Sequence, residues 1–286
     1  MLSVITPVYN GERFIESCIQ VVINQACPDV EHIIVDGGSI DRTAEIIKQY
    51  AQNYPHIRWI SEKDEGQSDA MNKGIAMAKG DIIAILNVDD FYEPNVLNRV
   101  IEIFKTLPQQ SLLVGNCNVW GNKGKLKYVN KPAKLKLTDL LLGAKINPHP
   151  INPSAYFYHI SLHNEIGIYK IDEHYAMDLD FLLRAVQVAK VKYVNEILGN
   201  YRELDGTKTI NDWISGQGPR RAERILKVYR KDVPLFERWQ IALTYDFYKY
   251  KDETWQRVKY FANRPQDLLP SLRVKLIKII SIVSKS

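Results

Sequence analysis

The sequence predicts an α/β fold in which a mostly parallel sheet is flanked by helices and followed by a C-terminal helical extension. In the first 106 residues, short runs of β-branched apolar residues alternate with segments of helical spacing. The run at residues 82–86 is apolar at every position, which is typical of a strand covered on both faces. From Trp213 onward the pattern is helical almost throughout. Together these features favour a covered parallel sheet with helices appended.

The first half of the chain is predicted to contain four strands, each ending in a polar loop. These strands span residues 2–6, 30–35, 56–61 and 82–86. Helical spacing follows each strand, at residues 12–25, 41–52, 68–78 and 94–106. Because such alternation is the signature of βαβ units, the carboxyl ends of these strands are expected at one edge of the sheet.

The second half is predicted to be less regular. Strand signals fall at residues 112–120, 125–129, 154–158, 191–195 and 198–202, and a helix at 179–189. The strand at 125–129 is polar enough to be an edge strand. Breaks in the later helices are expected at Pro234 and near residues 263–265. A domain boundary is predicted near residue 210, where strand signals end.

Composition narrows the class of protein. Three cysteines without CxxC spacing indicate reduced thiols rather than disulfides or a zinc site. The N-terminus has no basic region or cleavage site, and no run approaches the roughly 18 apolar residues of a membrane span. We therefore expect a cytoplasmic protein. Residues 1–218 carry 22 basic and 26 acidic side chains, whereas residues 219–286 carry 16 and 7. Such a basic C-terminal part predicts an anionic partner.

Acidic residues follow the predicted strands of the first half. Asp36, Asp64 and the pair Asp89-Asp90 each lie in the segment that follows a predicted strand. Since parallel strands end at one edge, these carboxylates are expected to converge where open α/β sheets bind ligands. Two adjacent carboxylates repel each other unless a cation compensates them, and a divalent metal is the usual one. The alternative reading is a set of polar turns that cap the following helices.

Two common phosphate-binding motifs are missing from the sequence. No G-x-G-x-x-G follows the first strand and no G-x-x-x-x-G-K-[ST] occurs anywhere. This argues against a dinucleotide oxidoreductase and against a P-loop NTPase. A bound diphosphate would then need a cation and side chains for neutralisation.

Several segments resemble a known family in their order and spacing. The segments are SVITPVYNG (3–11), VDGGSIDRT (35–43), DAMNKG (69–74), NVDD (87–90), MDLDFLLR (177–184) and Tyr201-Arg202 with Lys208-Thr209. They resemble the family 2 glycosyltransferases of the GT-A nucleotide-sugar fold. The resemblance covers about residues 1–210 and implies a nucleotide-binding half (1–106), an acceptor half (107–210) and, after it, a basic extension (211–286). It also implies inverting transfer of a sugar from a nucleotide diphosphate sugar with Mg²⁺ or Mn²⁺.

The resemblance assigns roles to individual residues. Asp90, with Asp89, matches the metal-binding motif, and Val88 stands where most members have a small residue. The donor is expected to be a UDP-sugar, with GDP- and dTDP-sugars as alternatives. Its contacts are expected from Thr6, Tyr9, Asp36, Asp64, Asn72, Asp89, Arg202 and Lys208.

The expected catalytic base is Asp178, which by its motif position would take the proton from the acceptor hydroxyl. Asp180 is the rival. Two residues apart on a helix, the two carboxylates cannot share a face, so one of them is expected to serve a structural role.

Two further predictions concern loops. His149, in the proline-rich segment Asn147–Pro150, is assigned to the acceptor side, and a histidine satisfied within a turn is the alternative. Arg202 and Lys208 flank a segment that could fold over the diphosphate, and an ordinary basic loop is the alternative.

Residues 271–285 combine apolar side chains with lysines in a pattern typical of an interfacial helix. Such a helix would lie on an anionic membrane at the inner face, and docking on the protein's own core is the alternative. We therefore expect a glycosyltransferase of saccharide or lipid-linked acceptors in cell-surface polysaccharide biosynthesis. A sugar-1-phosphate nucleotidyltransferase and a non-catalytic nucleotide- or glycan-binding protein are the alternative functions.

Overall fold

The computed structural model describes residues 1–173 and 176–264. The strands are β1 (Leu2–Val8), β2 (Val30–Asp36), β3 (Ile57–Ser61), β4 (Ile82–Ile85), β5 (Ser111–Gly121), β6 (Lys125–Asn130), β7 (Tyr156–His159) and β8 (Lys190–Arg202). The first helices are α1 (Ile15–Ile23), α2 (Thr43–Asn53), α3 (Gln67–Met77), α4 (Val96–Phe104) and α5 (Leu137–Leu140). The later helices are α6 (Leu162–Ile166), α7 (Met177–Val188), α8 (Lys208–Ile214), α9 (Gln217–Asp232) and α10 (Leu235–Asn263).

Among the described residues the strands form one sheet of eight, in the order β3-β2-β1-β4-β7-β5-β6, with β8 paired to β5. The pairs β1–β2, β1–β4, β2–β3 and β5–β8 are parallel, and β7 is antiparallel to both β4 and β5. The carboxyl ends of β1 to β4 therefore meet at one edge, as predicted. The antiparallel strand β7 begins at this same edge, and the parallel pairing of β5 with β8 brings the end of β8 there too.

The sequence of the central strands explains their position. Every residue of β1, β2 and β4 is buried, so these strands are covered on both faces. One core cluster packs Leu2, Val4 and Ala84 against Leu97 and Val100 of α4. A second cluster packs Ile34 of β2 against Ile15 of α1 and Ile47 of α2. The prediction of a mixed α/β fold built on a mostly parallel sheet is confirmed.

One strand prediction was wrong. The segments 191–195 and 198–202 were predicted to be separate strands, but they form the single strand β8. Its pairing with β5 contains register shifts between Val114 and Asn116 and between Asn116 and Cys117. These bulges absorb the break in the apolar pattern, so the chain continues in the same direction. The prediction of an edge strand at 125–129 was correct, since β6 is last in the sheet order and mostly exposed.

The chain divides into two compact units. The first runs from Met1 to Asp232 and contains the whole sheet, and the second begins at Val233. In the second unit, α10 starts directly after Pro234, as predicted. The domain boundary expected near residue 210 stays a prediction. Within residues 1–173 and 176–264, no helix is both long and apolar enough to cross a membrane.

Candidate active site

The loops at the carboxyl edge of the sheet are joined by hydrogen bonds that involve side chains. The loop after β1 joins the loop after β2, because the Asn10 N–H donates to Ser39 Oγ at 2.7 Å. The Ser61 hydroxyl at the end of β3 donates to Asp36 Oδ2 at 2.6 Å. Gln67 at the start of α3 donates to Asn87 Oδ1 after β4 at 2.9 Å. The expectation that these segments converge on one crevice is therefore met geometrically.

Two residues expected to contact the nucleotide are buried beneath the crevice. The Thr6 side chain is 0% exposed, and its hydroxyl shares a 2.9 Å hydrogen bond with His32 Nε2. Asp36 is also 0% exposed and accepts hydrogen bonds from the Ser39 and Ser61 hydroxyls. Both side chains thus hold the loops in place. Their direct contact with a nucleotide stays a prediction.

Tyr9 and Asp64 are open to the crevice. The Tyr9 side chain is 61% exposed, and Asp64 is half-buried. A Cβ at Gly37 would stand 2.5 Å from Asp64 Oδ2, so the glycine leaves the space that this carboxylate occupies. The Asp64 carboxylate also accepts from the Gly66 N–H at 2.9 Å. Gly66 itself has φ of 111°, a conformation that favours glycine.

Asn72 links helix α3 to the segment that precedes α7. Its side-chain amide donates to the Tyr169 carbonyl at 2.8 Å and accepts from the Tyr169 N–H at 2.9 Å. Both polar atoms of the amide therefore engage the backbone of the segment before α7. Asn72 thus holds that segment against α3, and its expected nucleotide contact stays a prediction.

Asp90 is held by three separate segments. It is 2% exposed. Its Oδ2 accepts from Asn87 Nδ2 at 3.0 Å and Asn152 Nδ2 at 2.8 Å, and its Oδ1 accepts from the Arg202 N–H at 3.1 Å. Burial and the adjacent Asp89 charge raise the pKa of Asp90, and the hydrogen bonds oppose that rise. Asp90 therefore joins β4, β8 and the segment before β7.

Asp89 is the more open of the two carboxylates. It is only partly buried, and no other described side chain donates a hydrogen bond to its carboxylate. Burial raises the pKa of Asp89, and the Arg202 guanidinium opposes this rise. No group of three or more His, Cys, Asp or Glu side chains lies close enough to hold a metal among the described residues. One or two carboxylates suffice for Mg²⁺ when substrate phosphates complete its coordination. The Asp89 carboxylate, beside Asp90, accepts no hydrogen bond from another described side chain, so it fits that requirement.

Asp178 lies in the first turn of α7 and is half-buried. Its Oδ1 accepts a 2.9 Å hydrogen bond from the Tyr156 hydroxyl, which stands at the start of β7. Burial raises the pKa of Asp178 to about 6, and this hydrogen bond opposes the rise. The Ser68 hydroxyl of α3 contacts Met177 Sδ at 2.9 Å, so the start of α7 meets the crevice. Asp178 is thus a carboxylate whose proton affinity is matched to proton transfer near neutral pH.

Asp180 has a different environment. It is 2% exposed, its Oδ1 accepts from Lys170 Nζ at 2.8 Å and from the Tyr229 hydroxyl at 2.9 Å, and its Oδ2 accepts from Arg184 Nε at 2.8 Å. Burial alone would raise the pKa of Asp180, but these partners lower it. Its charge is therefore fully engaged. The two carboxylates diverge as their spacing on the helix predicts.

Three predicted site residues remain, namely His149, Arg202 and Lys208. His149 Nε2 is 2.8 Å from the Leu140 carbonyl, and burial lowers the pKa of His149, so the ring is neutral and held within its own loop. The Arg202 guanidinium lies 4.6 Å from the centre of the Phe91 ring. Lys208 begins α8, and its side chain lies outside the described part of the structure.

Sequence reasoning missed the residues that position the carboxylates. Asn152 caps a short 3₁₀ turn, since its Oδ1 accepts from the Ser154 N–H, and its Nδ2 holds Asp90. Tyr156 reads as an ordinary strand residue. The Asn-Pro-Ser signal at 152–154 could have indicated the cap, but nothing local indicated either long-range partner.

The chain matches the model of glycosyl transferase family 2 over residues 3–158, more than half of its length, and it belongs to that family. It is 29% identical over 210 residues to chondroitin synthase of Escherichia coli, covering 73% of this chain and 30% of that protein. The chain therefore spans less than a third of that relative's length.

Solved structures with this fold carry nucleotide sugars. The structure of S. aureus TarS 1-349 in complex with UDP-GlcNAc superposes with a TM-score of 0.62 at 17% identity, covering 84% of this chain and 70% of that one. The mannosyltransferase PcManGT from Pyrobaculum calidifontis, in complex with GDP-Man and Mn²⁺, gives a TM-score of 0.54 at 16% identity, covering 100% and 80%. At these identities the likeness concerns the fold, which is that of GT-A glycosyltransferases.

Proposed function

We propose that this chain transfers a sugar from a nucleotide diphosphate sugar to a hydroxyl of a saccharide or lipid-linked saccharide, with inversion and with a divalent cation. The observation that carries the proposal is the contrast between Asp178 and Asp180. Among the described residues, Asp178 accepts one side-chain hydrogen bond and has a pKa of about 6, whereas Asp180 is engaged by two cations and a tyrosine. A carboxylate left basic at the mouth of a crevice is suited to take a proton from an acceptor hydroxyl.

In this mechanism Tyr9, Asp64 and the loop glycines receive the nucleotide. Tyr9 offers an exposed ring on which a base can stack, and Asp64 can accept from a base N–H or a ribose hydroxyl. Gly37 has no Cβ and therefore leaves room for the Asp64 carboxylate beside the nucleotide. A UDP-sugar is our first choice of donor, because a UDP-sugar is bound by the fold relative named above.

Asp89 would hold the cation, and Asp90 would keep the loop beneath it in place. When bound, Mg²⁺ or Mn²⁺ would neutralise charge that develops on the leaving diphosphate. Arg202 stands beside the same carboxylate and can supply a second positive charge. This assignment exchanges the roles that the sequence suggested, because the acceptor atoms of Asp90 are already engaged.

Asp178 would take the acceptor proton while the hydroxyl attacks the anomeric carbon from the face opposite the leaving group. Tyr156 holds the carboxylate in orientation through its hydroxyl. One displacement with one base gives inversion and needs no covalent sugar–enzyme intermediate. His149 remains our proposal for the acceptor side, through the ring nitrogen that does not face Leu140.

The relative that synthesises chondroitin supports a role in polysaccharide biosynthesis, and a cytoplasmic location is part of this proposal. A nucleotidyltransferase or a non-catalytic binder would share the fold. Residues 271–285, which suggested membrane association, lie outside the described residues.

The test measures nucleotide release from a panel of UDP-, GDP- and dTDP-sugars with Mn²⁺ and with saccharide acceptors. Asp178→Asn is expected to lose at least about 10²-fold in turnover while nucleotide affinity persists. The matched control is Asp81→Asn, an exposed carboxylate at the opposite end of β4 whose loss should leave turnover unchanged. Nucleotide binding without turnover for every donor and acceptor would favour the binder, and full activity in Asp178→Asn would refute the proposed base.

A further inference from the structure

The solvent face of α9 carries a straight row of positive charge. Arg220, Arg224, Lys227 and Lys231 follow each other at spacings of four, three and four residues. At 3.6 residues per turn, this places them within an arc of about 60° and along about 16 Å of helix. All four side chains are exposed, and with neighbouring residues they line a shallow groove of about 600 Å³. We call these four residues the α9 basic row.

The opposite face of α9 is anchored to the first unit, which fixes the direction of the row. Ile225 and Leu226 are 5% and 3% exposed. The Tyr229 hydroxyl donates to Asp180 Oδ1 at 2.9 Å, and the Arg230 guanidinium donates to the Leu141 carbonyl at 2.9 and 2.7 Å. Since these contacts lie across the helix from the basic row, the row is held facing outward.

Half of the charge in the row is left without an ion pair in the described part of the structure. Arg224 pairs with Glu173 at 2.5 Å. Arg220 and Lys227 have no ion-pair partner within residues 1–173 and 176–264. The helix as a whole contains six basic side chains and two acidic ones. An outward row with this excess is suited to a partner that presents repeated negative charge.

We propose that the α9 basic row is a docking surface for the anionic phospholipid headgroups of a bilayer. A row of cations that extends along about 16 Å of helix matches a charged plane better than a single small anion. Val228 beside the row is 55% exposed and can enter the interfacial layer. The second unit, taken by itself, also exposes apolar side chains on α10, namely Leu235, Phe236, Trp239, Leu243, Phe247 and Tyr250. Headgroups attract Lys and Arg, so an anionic bilayer suits the α9 basic row, and the interfacial layer separately accepts exposed Trp, Tyr and Phe side chains of the second unit.

The experiment is co-sedimentation of the full chain with vesicles, and it requires no sugar donor. Binding is expected with vesicles of phosphatidylcholine mixed with phosphatidylglycerol, weak binding with phosphatidylcholine alone, and loss of binding at high salt. The double variant Arg220→Gln/Lys227→Gln should bind about 30-fold more weakly, since each basic residue near such a surface contributes roughly a fivefold factor. The variant should keep its sugar-nucleotide affinity, because neither residue lies in the crevice.

The matched control is Lys105→Gln/Lys125→Gln, which removes two exposed lysines elsewhere on the first unit and should bind vesicles as the unaltered chain does. Equal binding of the α9 double variant and the unaltered chain would overturn the proposal, as would equal binding to the two kinds of vesicle. Retention on heparin through Arg220 and Lys227 without any vesicle binding would assign the row to an acidic polymer and would also overturn it. None of these outcomes depends on whether the chain transfers sugar.

Discussion

At the scale of single residues, the candidate site depends on how many hydrogen-bond donors each carboxylate receives. Asp90 receives three and Asp180 receives three, whereas Asp178 receives one side-chain donor and Asp89 receives none from another described side chain. A carboxylate with engaged oxygens stabilises structure, and one with free acceptor capacity remains available to a ligand. Within each pair, one carboxylate therefore stabilises the fold, and the other keeps acceptor atoms that a ligand could use.

The pH dependence of activity should report Asp178. Since a base must be ionised, kcat/KM is expected to fall as the pH drops through about 6, the pKa of this carboxylate. Tyr156→Phe removes the hydrogen bond that lowers this pKa, so the acidic limb of the profile should move to higher pH. Initial rates across the pH range would measure both effects. An unchanged limb in Tyr156→Phe, with Tyr128→Phe on the exposed strand β6 as control, would contradict the assignment.

The ionised Asp178 carboxylate is expected to lower the stability of the fold. Its pKa in the folded state lies above the usual value of 3.8, so the ionised form destabilises the fold at neutral pH. Asp178→Asn is therefore expected to raise the free energy of unfolding by about 1 kcal/mol at pH 7.5, or a melting temperature gain of about 2–4 °C. The gain should shrink as the pH falls from 6 toward 4, where the unaltered side chain becomes protonated. Thermal unfolding of both proteins at these pH values tests it, and a destabilised variant at pH 7.5 would contradict it.

At the scale of elements, Asp90 ties together segments that are distant in sequence. Its oxygens join the end of β4 to the end of β8 and to the turn before β7. Asp90→Asn would turn one acceptor into a donor that faces other donors, and a loss of about 1–3 kcal/mol is expected. Asp89→Asn should leave stability nearly unchanged. Denaturant unfolding of the two variants distinguishes them, and equal stabilities would refute the structural role of Asp90.

The elements also show how far the sequence could lead. The carboxyl-edge loops and the central strands were predictable, because apolar runs covered on both faces leave one parallel arrangement. The direction of individual side chains could not be predicted. Thr6 and Asp36 lie in strands that are buried on both faces, so the sequence pattern does not show which face a side chain occupies. Of the three partners of Asp180, Arg184 lies one helical turn away, but Lys170 and Tyr229 lie 10 and 49 residues away. No local pattern contains such pairs.

At the scale of the whole molecule, donor and metal should stabilise the first unit together. A ligand present at about 100 times its dissociation constant adds about 2.7 kcal/mol to the free energy of unfolding. UDP with Mn²⁺ is therefore expected to raise the melting temperature by about 5–10 °C, and a chelator should remove most of that rise. Asp89→Asn should lose the metal-dependent part and keep a smaller effect of UDP alone. If UDP with Mn²⁺ raised the melting temperature of Asp89→Asn and of the unaltered chain equally, Asp89 would not be the residue that holds the cation.

The clamp between Asn72 and the Tyr169 backbone has a mechanical consequence. The helix that bears Asn72 begins at Gln67, which grips the loop of Asp89, and Tyr169 precedes the helix of Asp178. In the proposed mechanism, these hydrogen bonds therefore fix the distance between the carboxylate that would hold the cation and the carboxylate that would act as base. A donor sugar would have to fit that distance when it binds.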